Sequence, residues 1–420
     1  MTNELFPLLS AADLAALPRQ AVSAETLQAA AAILATVRRD GQESVIHYSR
    51  CFGDLGPDDQ LLYDVDELTA ALERIPADQR QLLERTADRI ASFATAQRSC
   101  LQDLKLPVAG GRAGCRYLPV TRAGCYAPGG RFPLPSSLLM TTVTARVAGV
   151  QEIVVASPRP GDLILAAAAL GGAQQLVATG GAQAIAALAY GAGEIPACDV
   201  IVGPGNRFVT AAKQLVAGQV GIDMRAGPSE LVILADKTAD PATVAADLLA
   251  QAEHDPEAIP ILVSLDRVLP AAVNRELERQ LVDLPTAAIA RVALGNGGVV
   301  VADDLDQGIQ LCNGLAPEHL ELLTTSPEDL AARMTCYGTL FLGSTSAEVM
   351  GDYGAGPNHV LPTGGTARFR GSLSVADFLV GRTWLQLEPG PALDELVCDV
   401  TALARLEGLE GACPGGSAAR

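Results

Sequence analysis

Three of the four histidines in this chain sit in peptides equipped for chemistry: Gln251-Ala-Glu-His254, Pro317-Glu318-His319-Leu320, and Gly351-Asp352 running on to Asn358-His359. Glu318-His319 is an adjacent acid and base, the equipment for proton transfer. Gln251 and His254 are three apart on a stretch of helical pattern, so both are expected on one helix face. Asp352 adds an oxygen donor from a glycine-rich loop. Gln251, His254 and Asp352 together offer the mixed nitrogen and oxygen ligands that zinc accepts. The set predicts a metal-assisted reaction on a small molecule.

The elements that must position these side chains follow from periodicity. Residues 1–120 read as a mostly helical N-terminal region, with apolar positions at helical spacing in Leu27–Val37 and Leu82–Ile90. From residue 121 the texture changes to short β-branched runs, glycine turns and alanine-rich helices. Glu152-Ile-Val-Val-Ala, Gln175-Leu-Val and Asp199-Val-Ile-Val are strand candidates, each followed by a turn and a helix. A second series starts at Glu230-Leu-Val-Ile-Leu-Ala and continues through Ile259–Ser264 and Gly298–Ala302. Repeated strand–glycine–helix units are the mark of parallel sheets with crossover helices. The fold class expected is α/β: two Rossmann-like parallel-sheet domains over 121–227 and 228–365. Residues 366–420 lose the rhythm and read as an extended C-terminal tail with one helix, suited to docking on a partner subunit.

Composition narrows the partners. A net charge of −18 argues against general affinity for nucleic acid or an anionic membrane. No segment holds the roughly 18 uninterrupted apolar residues of a membrane span. The first residues lack the basic stretch of a signal peptide, and nine cysteines with no repeating spacing do not form a disulfide framework. The expectation is a cytoplasmic chain with reduced thiols.

Neither Gly180-Gly-Ala-Gln183 nor Gly203-Pro-Gly-Asn206 is the G-x-G-x-x-G fingerprint. Both are nevertheless strand-to-helix turns whose glycines let backbone N–H groups approach a ligand. Gln183 and Asn206 would stand at the carboxyl ends of neighbouring strands, and Cys125-Tyr126-Ala-Pro-Gly adds an aromatic ring. Any one of these loops could equally be tight packing of helix on strand; three in one domain point to a dinucleotide.

At this level of detail the chain resembles the histidinol dehydrogenase family. The matching stretches are Tyr126-Ala-Pro-Gly-Gly, Gly180-Gly-Ala-Gln through Tyr190-Gly, Gly203-Pro-Gly-Asn, Ala226-Gly-Pro-Ser-Glu230, Asp247 through Asp255, Pro317-Glu-His-Leu-Glu321, and Gly351 through Thr363. The resemblance implies a homodimer that uses zinc and NAD to oxidise L-histidinol to L-histidine through the aldehyde, in histidine biosynthesis. It implies that Tyr126, Gln183 and Asn206 contact NAD, and that Gln251, His254 and Asp352 bind zinc. Ser229, Gln251, His254, His319, Asp352 and His359 would surround the substrate, joined by Glu407 from the partner subunit. His319 would be the base that takes the alcohol proton and Glu318 the group that activates water.

One departure stands out. The family carries a further zinc-ligand histidine near its C-terminus, where this chain has Ala412 in Glu407-Gly-Leu-Glu-Gly-Ala412-Cys413-Pro414. A water or substrate atom would fill that coordination position, or the Cys413 thiolate would. The departure keeps open two alternatives: a paralogue that oxidises another polar amino alcohol or diol, and a catalytically silent ligand-binding homologue. Elsewhere the bland reading is preferred: His47 is structural, Cys125 is a buried small hydrophobe, and Phe378 and Trp384 serve packing or dimer contacts.

Overall fold

The computed structural model describes residues 5–19, 22–129, 133–224 and 226–409. The first eight strands are β1 (Leu62–Asp64), β2 (Leu104–Val108), β3 (Gly111–Pro119), β4 (Arg122–Tyr126), β5 (Glu152–Ala156), β6 (Gln175–Val177), β7 (Val200–Val202) and β8 (Gly221–Ile222). Six of them form one sheet in the order β1-β6-β5-β4-β7-β8, parallel except for β1 at its edge. The next five are β9 (Glu230–Ala235), β10 (Ile259–Ser264), β11 (Gly298–Val301), β12 (His319–Leu323) and β13 (Thr339–Leu342). They make a wholly parallel second sheet in the order β11-β10-β9-β12-β13. Their near-continuous Val, Ile and Leu content follows from helices covering both faces.

The N-terminal region serves both sheets. Leu9 N–H donates to Val299 O at 2.8 Å and Val299 N–H to Pro7 O at 2.8 Å, so the first segment lies along β11. The helices Ala24–Asp40, Gln42–Cys51, Val65–Arg74 and Ala77–Ser99 instead bury their apolar stripes on the first sheet. Residues 104–119, expected within a helical region, are the strands β2 and β3. They pair with β14 (Leu379–Leu387) in a third, antiparallel sheet, so the partner that makes them strands lies far along the chain. Leu373, Val375 and Phe378 insert into the core of the first sheet. Beyond them, β14 and the helix Pro391–Leu406, which has no buried residue, form the tail. Cys125 is fully buried, and burial raises its thiol pKa.

The two parallel sheets offer opposite ends to one another. Tyr126 closes β4, while Gln183 and Asn206 lie just beyond β6 and β7, so all three stand at carboxyl ends. Glu230 and His319 open β9 and β12, so they stand at amino ends. The two sides meet where Asn358 Nδ2 donates to Met140 O at 2.9 Å and to Thr144 Oγ1 at 3.2 Å on the helix Pro135–Ala148.

Gly203 has φ +118°, and a Cβ there would lie 2.0 Å from Tyr126 O, so only glycine fits the turn after β7. A buried ion pair between Lys213 and Asp223 clamps that turn. Lys213 Nζ donates to Gly203 O at 2.9 Å, and Asp223 accepts Gly203 N–H at 2.7 Å. Replacing Lys213 by Met strands a buried carboxylate. The expected outcome in urea unfolding is a loss of about 3 kcal/mol; an unchanged midpoint would mean the ion pair contributes no net stability.

Candidate active site

Parallel pairing of β9 with β12 sets His319 opposite Leu231, which brings Glu230 beside Glu318 and His319. His319 Nδ1 is 3.1 Å from Glu230 O, and a carbonyl only accepts, so Nδ1 carries a hydrogen. Nε2 of the neutral ring then holds the lone pair. It lies 3.6 Å from Asp352 Oδ1 and 3.7 Å from Glu348 Oε1, with no hydrogen-bond partner among the described residues. Glu318 Oε2 accepts Glu230 N–H at 2.8 Å and is 3.7 Å from His319 Nδ1. The Glu230 carboxylate is itself held by the Arg19 guanidinium and by Gly364 N–H at 3.1 Å.

Burial governs the charges. It pushes Glu318 up to about 8, against the pull of the His319 ring and the Glu230 N–H. For His319 burial works against protonation, but Glu318, Asp352 and Glu348 outweigh it and lift the imidazole to about 10. Burial likewise opposes ionisation of Asp352, yet its contact with His319 outweighs that and brings it below the ordinary carboxylate value. His359 donates from Nδ1 to Asp352 O at 2.6 Å, so Nε2 accepts from Ser137 Oγ at 3.2 Å, and burial keeps this ring neutral.

Behind His319 lies a second group of acids. Glu321 is two residues along β12 and therefore on the same strand face. It faces Asp247, whose Oδ2 has no donor, and neither Glu321 oxygen has one among the described residues. Burial raises both carboxyls, and Asp247 raises Glu321 further toward its protonated form. Gln251, one helical turn beyond Asp247, is fully buried with neither amide atom hydrogen-bonded.

The fold thus brings Glu318, His319, Asp352 and His359 together, while Gln251 is buried on the helix Pro241–Ala252, which packs on Glu348–Asp352. His254 departs from the expectation of a shared helix face: the helix Pro241–Ala252 ends before it, and His254 is exposed in the following turn. Pro256 accounts for this, because a residue before proline avoids helical geometry. From the turn its charge still acts on Asp352 and His359. Ser229 precedes β9, its carbonyl accepting from Ile259 N–H at 2.9 Å. Tyr126 is buried, with its hydroxyl accepting Gly181 N–H at 3.3 Å. Gln183 is buried as well, and Asn206 caps its helix through bonds to Phe208 and Val209 N–H. Glu407 is exposed after the unburied last helix, apart from the cluster. Ala412 and Cys413 lie outside the described residues. Glu348, Glu321 and Asp247 escaped the sequence reading, although each had a signal: Glu348 is four before Asp352, Asp247 four before Gln251, and Glu321 two after His319.

Donor atoms of His319, Glu348 and Asp352 all lie within 4.8 Å of one another. With the unpartnered Gln251 amide and the carboxylate-rich setting, this is a site whose donors suit a divalent cation.

The acid pair carries a pH signature. A carboxyl raised above its unfolded value of 4.5 binds more protons when folded, so Glu321 stabilises the fold least as pH climbs away from 4.5. Glu321→Gln, neutral at every pH, is expected to leave the thermal midpoint near wild type at pH 5. At pH 8 it should raise stability by on the order of 1–2 kcal/mol. Equal midpoints at both pH values would show that Glu321 is not raised.

The sequence of the histidinol dehydrogenase family matches residues 17–413. A histidinol dehydrogenase from Thermus thermophilus is 48% identical over 90% of this chain and 91% of its own length. One from Parasynechococcus marenigrum is 45% identical over 90% and 87%. The crystal structure of histidinol dehydrogenase from Elizabethkingia anophelis superposes with a TM-score of 0.91 at 31% identity, covering 99% of this chain and 98% of that one. With the Glu318-His319 pair and the two parallel sheets in place, these similarities make the chain a member of the histidinol dehydrogenase family.

Proposed function

We propose that this chain oxidises L-histidinol to L-histidine through the aldehyde, in two NAD-linked hydride transfers. The observation that carries the reading is the His319 ring: its Nδ1–H is fixed on Glu230 O, so Nε2 is the basic atom and is turned toward Asp352 and Glu348. The neighbouring carboxylates favour the protonated ring; with a bound cation's charge offsetting them, His319 would be neutral and would take the hydroxyl proton of the alcohol at Nε2. Glu318, in the ionised form favoured by the Glu230 N–H and the charge of His319, takes the proton of the water that hydrates the aldehyde before the second oxidation. Ser229, His359 and the partner copy's Glu407 complete the substrate site. Tyr126, Gln183 and Asn206 border the NAD site at the carboxyl ends of the first sheet.

Gln251, His254 and Asp352 would hold a zinc ion. When bound, it supplies a positive charge that orients the substrate's nitrogen donors and offsets the surrounding carboxylates. With Ala412 in place of the family's histidine, a water or substrate atom takes the remaining position. A homodimer fits the tail: Leu385, Leu403 and Leu406 are 63%, 59% and 86% exposed, an apolar surface suited to a second copy. Among the described residues no helix is long and apolar enough to cross a membrane.

Purified protein given L-histidinol, NAD and zinc is expected to form two NADH per alcohol consumed; no NADH from folded protein would remove histidinol as the substrate. His319→Asn should lower kcat for both steps by about 10³. Glu318→Gln should spare alcohol oxidation and slow oxidation of added aldehyde, and an equal loss in both steps would refute its role with water. Ala412→His should tighten zinc binding, read by competition with a chromogenic chelator, by at least about tenfold. Unchanged affinity would mean that another group already completes the metal site.

A further inference from the structure

The glycine turn after β6 is held by a residue from outside the sheet. Asp54, in the loop after the helix Gln42–Cys51, accepts Gly180 N–H at 2.9 Å and Gln183 Nε2 at 3.2 Å, both on Oδ2. A carboxylate accepts only, so the Gln183 amide is fixed with its NH₂ toward Asp54. The Gln183 carbonyl oxygen is turned inward, buried and without a partner. Of the two side chains Gln183 is buried at 1% exposure, whereas Asp54 is half-buried, with Oδ1 engaged by no hydrogen bond among the described residues. Asp54 is therefore the member of the pair that a ligand at the carboxyl ends of β4, β5 and β6 meets.

Its surroundings suit a sugar hydroxyl. The Tyr126 hydroxyl shares the same turn through Gly181 N–H. Arg159, in the loop after β5, is held at φ 47°, an unusual conformation for a non-glycine residue, and its charge reaches Asp54. A carboxylate with one oxygen anchored by two N–H donors and the other unengaged is a hydroxyl acceptor, the part an acidic residue plays toward ribose in dinucleotide sites. We propose that Asp54 accepts a hydrogen bond from a ribose hydroxyl of the dinucleotide, through Oδ1, while Oδ2 keeps the Gly180-Gly181 turn in place. This rests on the reading of Tyr126, Gln183 and Asn206 as the NAD site.

The test separates a ligand contact from a merely structural tie. Binding of NAD and of its 2′-deoxy and 3′-deoxy ribose analogues is measured by calorimetry for wild type, Asp54→Ala, Asp54→Asn and Gln183→Ala. Wild type is expected to lose about tenfold in affinity when the contacted hydroxyl is removed. Asp54→Ala should bind NAD about tenfold more weakly and no longer distinguish it from that analogue, while KM for L-histidinol stays within twofold. Asp54→Asn, which keeps an acceptor, should recover part of the discrimination, and it serves if the alanine variant does not fold. If Asp54→Ala weakens NAD and every analogue by the same factor, Asp54 only holds the turn and the proposal is overturned. It is equally overturned if Gln183→Ala weakens NAD binding and the Asp54 variants do not, an outcome that leaves the cofactor site standing. If wild type binds NAD and none of the variants alters the affinity, the cofactor site itself is misassigned.

Discussion

Glu230 is the residue on which the reactive end of the molecule depends. Its backbone N–H donates to Glu318, its backbone carbonyl fixes the His319 ring, and its carboxylate is held by Arg19 and Gly364 N–H. Three stretches of chain, the N-terminal arm, β12 and the segment after His359, therefore converge on one position at the start of β9. The acid and the base hang from backbone groups that sheet pairing already holds rigid. Groups held in this way are pre-ordered, the condition under which a positioned side chain is most effective.

The second dependence is on how the two sheets face. Open parallel sheets ordinarily receive ligands at their carboxyl ends, and Tyr126, Gln183 and Asn206 stand at those ends of the first sheet. The second sheet reverses it, offering Glu230 and His319 from its amino ends. The contacts of Asn358 and His359 with the helix Pro135–Ala148 close that arrangement from the side.

Burying so many acids around one imidazole has an energetic consequence. Glu318, Glu348, Glu321 and Asp247 are all raised by burial, which marks a region where acids are held away from their ordinary ionisation. Such strain is tolerated where a ligand or cation offsets it. The unpartnered Gln251 amide and Glu348 carboxylate are part of the same account, since buried polar groups without partners are uncommon in structural cores.

Much of this was legible in the sequence. The strand–glycine–helix rhythm, the Glu318-His319 adjacency and the Asp352 and His359 peptide are local patterns, and local spacing determined them. Side chains three or four apart on a helix, or two apart on a strand, also announce a common face, so Glu348, Glu321 and Asp247 were within reach. The helical spacing that paired His254 with Gln251 ran past the helix end, so its placement in the following turn was not legible. Only the tertiary structure decided the roles of Glu230, Asp54 and the strands β2 and β3. Glu230 meets Glu318 across 88 residues of chain, and Asp54 meets Gln183 across 129. Such meetings depend on strand order and register, which arise when whole sheets bury their faces together, and no spacing along the chain encodes them.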